Sequence, residues 1–248
     1  MLRALARLLG ATAHLLRGIW TVWRRFPNAS PAQRHAHVAA WAGTMLRLLG
    51  VSVRLGGPAL PAGGPLLIVA NHVSWLDILV VHAFCPQARF VSKAAVRHWP
   101  VIGRLTEAAG TLFIERESKR DALRVVHHMA EALRAGDTLA VFPEGTTSDG
   151  QSVLPFHANL LQAAIAAAAP VQPLALRYAD AAGCPSRAAA YIGTTTLVQS
   201  VWWVVRARAL RVQVERLPLL APALTERRVL AQRLQDDIGQ ALGRLPAV

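Results

Sequence analysis

Apolar residues recur at helical spacing from the start of the chain. From Leu2 to Phe26, Arg3, Arg7, His14, Arg17, Thr21, Arg24 and Arg25 fall on one stripe about 100° wide at about 100° per residue. Leucines with Ile19, Trp20, Val22 and Trp23 cover the rest. This pattern suits a helix lying in a membrane interface, or one packed on its own domain. Aromatic residues beside arginines favour the interface, and a full span would place Arg7 and Arg17 in hydrocarbon. Pro27 and Pro31 break the pattern, and a second, weakly patterned helix runs to about Leu49 and stops at Gly50.

Beyond Gly50 the period changes. Short apolar runs predict strands at 51–55, 66–70, 89–92, 111–115, 138–142, 171–177, 189–194 and 210–216. Between them, helical patterns fall at 75–84, 100–109, 119–134, 157–169, 197–206 and 225–243. Ser118 and Asp121 are spaced as a capping box for the helix ending near Gly136. The alternation predicts an α/β fold, a mostly parallel mixed sheet flanked by helices, with an N-terminal membrane-interface helical segment. The expected division is 1–50 for that segment and 51–248 for the α/β domain. Two uncharged stretches, 150–176 and 188–205, are read as helix–strand units and not membrane spans, because prolines, glycine and polar residues interrupt them.

Composition adds a partner class. The net charge is +13, and Lys93 and Lys119 are the only lysines among 27 basic residues. Positive mean hydropathy combined with that charge points to an anionic membrane surface or a nucleic acid. The arginines are scattered, and only Tyr178 and Tyr191 supply tyrosines for stacking, which argues against nucleic acid. A non-enzymatic basic membrane binder is the alternative of a different class. Cys85 and Cys184 form neither a metal-ligand spacing nor a disulfide framework, so no metal is expected. The N-terminus does not read as a cleaved signal peptide, because arginine and histidine interrupt its apolar run.

The candidate chemistry sits at strand ends. The segment NHVSWLD, Asn71 to Asp77, follows the apolar run PLLIVA. Ser74 and Asp77 have capping-box spacing, which alone accounts for the carboxylate. The same spacing leaves His72 in the strand-to-helix turn beside Asp77. A carboxylate on one imidazole nitrogen fixes the tautomer and frees the other nitrogen to take a proton from a hydroxyl. Two further segments end strands, GTLFIER at Gly110–Arg116 and FPEGTT at Phe142–Thr147. Gly145 permits torsions that turn backbone N–H groups toward an anion, and Thr146 and Thr147 add hydroxyl donors. His72, Lys93, Arg116 and Glu144 each follow a predicted strand, and in a parallel sheet those ends share the edge where ligands bind.

The order NHVSWLD, GTLFIER, FPEGTTS and VQPLAL resembles the glycerolipid acyltransferases of the 1-acylglycerol-3-phosphate acyltransferase type, over roughly residues 50 to 216. The resemblance implies transfer of a fatty acyl group from acyl-CoA or acyl carrier protein to the hydroxyl of lysophosphatidic acid, giving phosphatidic acid. Another lysolipid acceptor, such as lyso-ornithine lipid, is the alternative within that chemistry. The implied site has His72 as general base and Asp77 as its partner. Arg116, Gly145 and Thr146 line the acceptor's phosphate site, Lys93 supplies a compact charge, and Glu144 holds Arg116 or an acceptor hydroxyl. No cofactor is implied beyond the acyl donor. The implied place of work is the cytoplasmic face of the inner membrane, with the protein peripheral or interfacially anchored. The family often carries lysine or arginine where this chain has His157.

Overall fold

The structure is a computed structural model that describes residues 1–114, 119–221 and 226–245. Seven strands form one sheet: β1 (Val51–Gly56), β2 (Leu66–Ala70), β3 (Arg89–Lys93), β4 (Leu112–Ile114), β5 (Thr138–Val141), β6 (Val171–Ala179) and β7 (Leu210–Arg216). Their order across the sheet is β1-β7-β6-β2-β5-β3-β4. From β6 to β4 all neighbours are parallel. The β6–β7 pair is antiparallel and β1 runs parallel to β7, so two strands at one end oppose the other five. The sheet is mixed and mostly parallel, as the alternating pattern predicts.

Helices cover both faces. They are α1 (Leu2–Arg25), α2 (Pro31–Leu49), α3 (Leu76–Phe84), α4 (Ile102–Ala108), α5 (Lys119–Arg134), α6 (Gln162–Ala167), α7 (Leu197–Arg206) and α8 (Arg227–Arg244). Strand β2 is buried throughout, and its alternate residues serve different layers. Leu66, Ile68 and Ala70 join Leu46, Leu76, Val80 and Val204 on one face. Leu67 and Val69 join Met129, Leu133, Leu161 and Leu234 on the other. This is why a central parallel strand reads as an unbroken apolar run instead of an alternation.

The remaining differences from the expected elements have physical causes. No strand forms at 189–194. There, the Tyr191 N–H donates to Val73 O at 3.1 Å and the Tyr191 carbonyl accepts from Thr147 Oγ1. The backbone groups that a strand would pair are spent on two turns. Ala189 and Ala190 are buried all the same, and that burial made the loop resemble a strand. The helix expected over 157–169 is a 3₁₀ turn, Ala158–Leu161, followed by the short α6. The Ser118–Asp121 capping box falls partly outside the described residues, as does the last position of the strand expected at 111–115.

Helix α1 packs on α2 and α7 through part of its polar stripe. Its basic stripe does not face outward as a unit. The Arg7 guanidinium donates to Val205 O and Ala207 O, at 3.0 and 2.7 Å, at the carboxyl end of α7, where a cation offsets the helix dipole and satisfies orphan carbonyls. His14 stacks on Trp41 of α2, with ring centroids 5.6 Å apart. Trp41 in turn donates to His14 O at 3.1 Å and packs over Gly18. Leu2, Leu5, Leu9, Leu16, Trp20 and Trp23, one stripe about 60° wide at about 100° per residue, are exposed instead.

Candidate active site

Strand β2 ends at Ala70, but the order continues one residue further. The buried side chain of Asn71 donates from Nδ2 to Leu176 O at 2.9 Å and accepts from Leu176 N–H at 2.8 Å at Oδ1. The amide behaves as another rung of the β2–β6 ladder while the main chain turns away. That anchor delivers His72 to the carboxyl edge of the sheet.

His72 Nδ1 lies 2.8 Å from Asp77 Oδ2. The same oxygen accepts the N–H groups of Val73 and Ser74 at 2.8 and 2.9 Å. Oδ1 accepts the Tyr178 hydroxyl at 2.7 Å. Asp77 is fully buried and stands in the first turn of α3. Four donors and the amino end of a helix converge on this one carboxylate. Half of the expected capping box therefore forms, since Asp77 takes the Ser74 N–H. The Ser74 hydroxyl, buried, makes no hydrogen bond among the described residues.

The imidazole is fixed from its flank as well. Its ring stacks on Phe142, with centroids 4.0 Å apart and planes within 5°, and Phe142 stacks on Phe90 at 5.6 Å. The His72 side chain keeps 19% exposure. Nε2 has no partner among the described residues. With Nδ1 held by an anion, Nε2 is the lone-pair end of the ring, and it is available to a hydroxyl from outside.

Glu144, expected to hold Arg116 or an acceptor hydroxyl, is engaged by the backbone, and Arg116 lies outside the described residues. His72 and Glu144 stand opposite each other, three residues past the Val69–Val141 pair of β2 and β5. Glu144 is buried. Its Oε1 accepts the His72 N–H at 2.7 Å and its Oε2 the Leu154 N–H at 3.1 Å. Burial holds its pKa above the usual carboxylate range, with the two backbone hydrogen bonds working against that rise. Glu144 is a strut that joins three segments.

The turn after β5 differs from expectation too. Gly145 has the anticipated left-handed backbone, φ +71°, and a Cβ there would meet His157 Cδ2 at 3.1 Å. Its N–H, however, donates to Phe142 O at 3.1 Å and closes the turn instead of facing an anion. The Thr147 hydroxyl is engaged by Tyr191 O. Thr146 is exposed beside them. Ser148 donates from N and Oγ to His72 O, at 2.7 and 3.2 Å, a tie that no sequence motif announced. Gly150 allows the loop to close on Val73, because a Cβ there would come within 3.0 Å of the valine.

Lys93 ends β3, exposed, in register with Ile114 of β4. It shares the sheet edge with His72, with no contact to it. Arg116 lies outside the described residues. The structure thus brings together His72, Asp77, Glu144 and Gly145, and leaves Thr146 and Lys93 on the surface of the same edge. Among the described residues no cluster of His, Cys, Asp or Glu has the makings of a metal site.

Residues 52–177 match the acyltransferase family. Relatives span nearly the whole chain. A 1-acyl-sn-glycerol-3-phosphate acyltransferase of Neisseria gonorrhoeae is 35% identical over 241 residues, covering 96% of this chain and 91% of the relative. A lyso-ornithine lipid O-acyltransferase of Pseudomonas aeruginosa is 37% identical over 240 residues, with the same coverage of each. Among solved structures, the 1-acyl-sn-glycerophosphate acyltransferase of Thermotoga maritima superposes with a TM-score of 0.73 at 20% identity, over 98% of this chain and 95% of the other. That likeness shows the shared α/β fold.

Proposed function

Because the chain belongs to the acyltransferase family, we propose that it transfers a fatty acyl group from an acyl-CoA or acyl carrier protein thioester to the free hydroxyl of lysophosphatidic acid, giving phosphatidic acid. The observation that carries this reading is the His72–Asp77 pair with Nε2 free at the edge of the sheet. An imidazole so held can take the proton of an incoming hydroxyl as its oxygen attacks the thioester carbonyl. Asp77 stabilises the imidazolium that forms. When the carbon–sulfur bond breaks, the imidazolium returns that proton to the departing thiolate, so a thiol leaves and the base is restored. The thioester is already activated, and the path needs no covalent acyl-enzyme.

In this reading Arg116, Thr146 and Lys93 supply the polar contacts for the acceptor's phosphate and the donor. Gly145 shapes the turn that carries Thr146, and Glu144 holds the His72 backbone in place. The exposed stripe of α1 is the lipid-facing element, and Trp20 and Trp23 are its interfacial anchors. Among the described residues no helix is long and apolar enough to cross a membrane, so the proposed association is peripheral, at the cytoplasmic face of the inner membrane.

A lyso-ornithine acceptor is the second reading. Beyond the identity to lyso-ornithine lipid acyltransferases, His157 favours it. Its exposed ring lies against the Gly145 turn, in the place where a phosphate site would put the permanent cation of a lysine or arginine. The test is thiol release from acyl-CoA and acyl carrier protein across a panel of lysolipids. A kcat/KM highest for lysophosphatidic acid supports the first reading, and one highest for lyso-ornithine lipid replaces it with the second.

A further inference from the structure

Tyr178 is 101 positions from Asp77 in the chain, and their contact is buried. The hydroxyl that a core tyrosine commonly turns toward water is here spent on a carboxylate. Asp77 divides its partners unequally. Oδ2 takes His72, Val73 and Ser74. Oδ1 has one donor among the described residues, the Tyr178 phenol at 2.7 Å. Tyr178 itself is clamped in β6 opposite Val212 of β7 and is buried. Two residues earlier, the same strand holds Asn71 through Leu176. One strand therefore anchors both ends of the turn that carries His72.

We propose that Tyr178 is a positioning residue of this site: its hydroxyl fixes Asp77 and draws charge from the carboxylate, and so sets how strongly Asp77 holds the His72 proton. Burial, then the Asp77 charge and the hydrogen bond itself, push the Tyr178 phenol well above its ordinary range, so it remains a neutral donor while His72 titrates. Among the described residues, the other ionisable groups facing the pair are Glu144, from the turn after β5, and His82 of α3, which reaches it only through Phe90 and Phe142. Neither bonds Oδ1. Removing the phenol leaves an anionic oxygen buried and unpaired, and its full charge then favours the imidazolium.

The catalytic readout of this proposal rests on the acyl-transfer reading, and the titration readout does not. In full-length Tyr178→Phe, the His72 ring is titrated by NMR, its signal identified by its loss in His72→Ala. The midpoint should rise by about 1 pH unit. The acid limb of kcat/KM should move with it, giving about tenfold less activity well below the midpoint, with KM nearly unchanged. In an Asp77→Asn background, Tyr178→Phe should add no further shift. A second probe moves the group the other way. With Tyr191→Phe, Tyr178 is the only tyrosine left, and biosynthetic 3,5-difluorotyrosine makes it a stronger donor that should lower the His72 midpoint. Midpoints in both variants that coincide with those of their tyrosine-bearing parents overturn the proposal and leave Tyr178 a packing residue. If Tyr178→Phe does not fold, the fluorinated protein decides alone. A shifted titration in a protein that acylates no lysolipid sustains the positioning role and refutes the acyl-transfer reading instead.

Discussion

The carboxylate of Glu144 accepts the backbone N–H of His72 at 2.7 Å, across the gap where β2 and β5 have ceased to pair. A side chain here continues the sheet beyond its last backbone hydrogen bond. Glu144→Ala would leave the N–H groups of His72 and Leu154 without their acceptor, at roughly 1–3 kcal/mol for each that stays buried. We expect a fall in melting temperature together with a fall in kcat, since the turn that holds His72 loses its strut. A variant that melts like the native protein would show that these N–H groups find other partners.

The same residue predicts a pH dependence. Burial raises the folded-state pKa of Glu144 above its unfolded value. The folded protein therefore binds this proton more tightly than the unfolded chain, and stability from this group is present at low pH and is lost as pH rises through the folded value. Measured against Glu144→Gln, which has no such proton, the native protein should lose relative stability as pH climbs from the ordinary glutamate range toward neutrality. A relative stability that rises over that interval would contradict burial as the dominant influence.

His72→Ala should lower kcat by about 10²–10⁴-fold while circular dichroism and melting stay close to native, because the ring is partly exposed and packs mainly on Phe142. Asp77→Asn should be nearly as severe in activity and more damaging to stability, since the buried carboxylate receives four donors. A folded His72→Ala protein with near-native turnover would remove His72 as the base.

Membrane binding is best tested by point substitution. Deleting residues 1–26 would also remove Arg7 from the end of α7 and uncover Trp41, so lost activity would have two causes. Leu9→Glu and Trp20→Glu alter only exposed positions. Each should weaken binding to anionic phospholipid vesicles by at least about tenfold, since a charge replaces an apolar contact with lipid, with no change in melting temperature. Salt should weaken native binding through the exposed Arg17, Arg24 and Arg25. Unaltered vesicle binding by both variants would reject α1 as the lipid-facing element.

Arg116→Ala should separate the two acceptors. A guanidinium that grips phosphate through paired hydrogen bonds gives a loss of at least about tenfold in kcat/KM for lysophosphatidic acid, expressed mainly in KM, and little loss for lyso-ornithine lipid. Equal losses for both acceptors would remove Arg116 from the phosphate site.

What the sequence determined by itself is local. Capping spacing, strand-to-helix turns and the apolar run of β2 are set by residues within a few positions of one another, so the α/β alternation and the His72–Asp77 pair were legible in the chain. Tertiary structure decided whatever depends on which strands meet. Tyr178 and Asn71 acquire their roles because β6 lies beside β2, about a hundred residues away in sequence. Glu144 reads in the sequence as a partner for Arg116 or an acceptor hydroxyl, and only the β2–β5 register sets it against His72. The segment 189–194 has a strand's apolar pattern, yet its hydrogen bonds go to the turns at Val73 and Thr147. Helix α1 has a basic stripe visible in its sequence. The carboxyl end of α7 and the face of Trp41 turn part of that stripe inward and leave the leucines and tryptophans outside. Periodicity reports that a helix has two faces, and only the groups packed against it determine which face is buried.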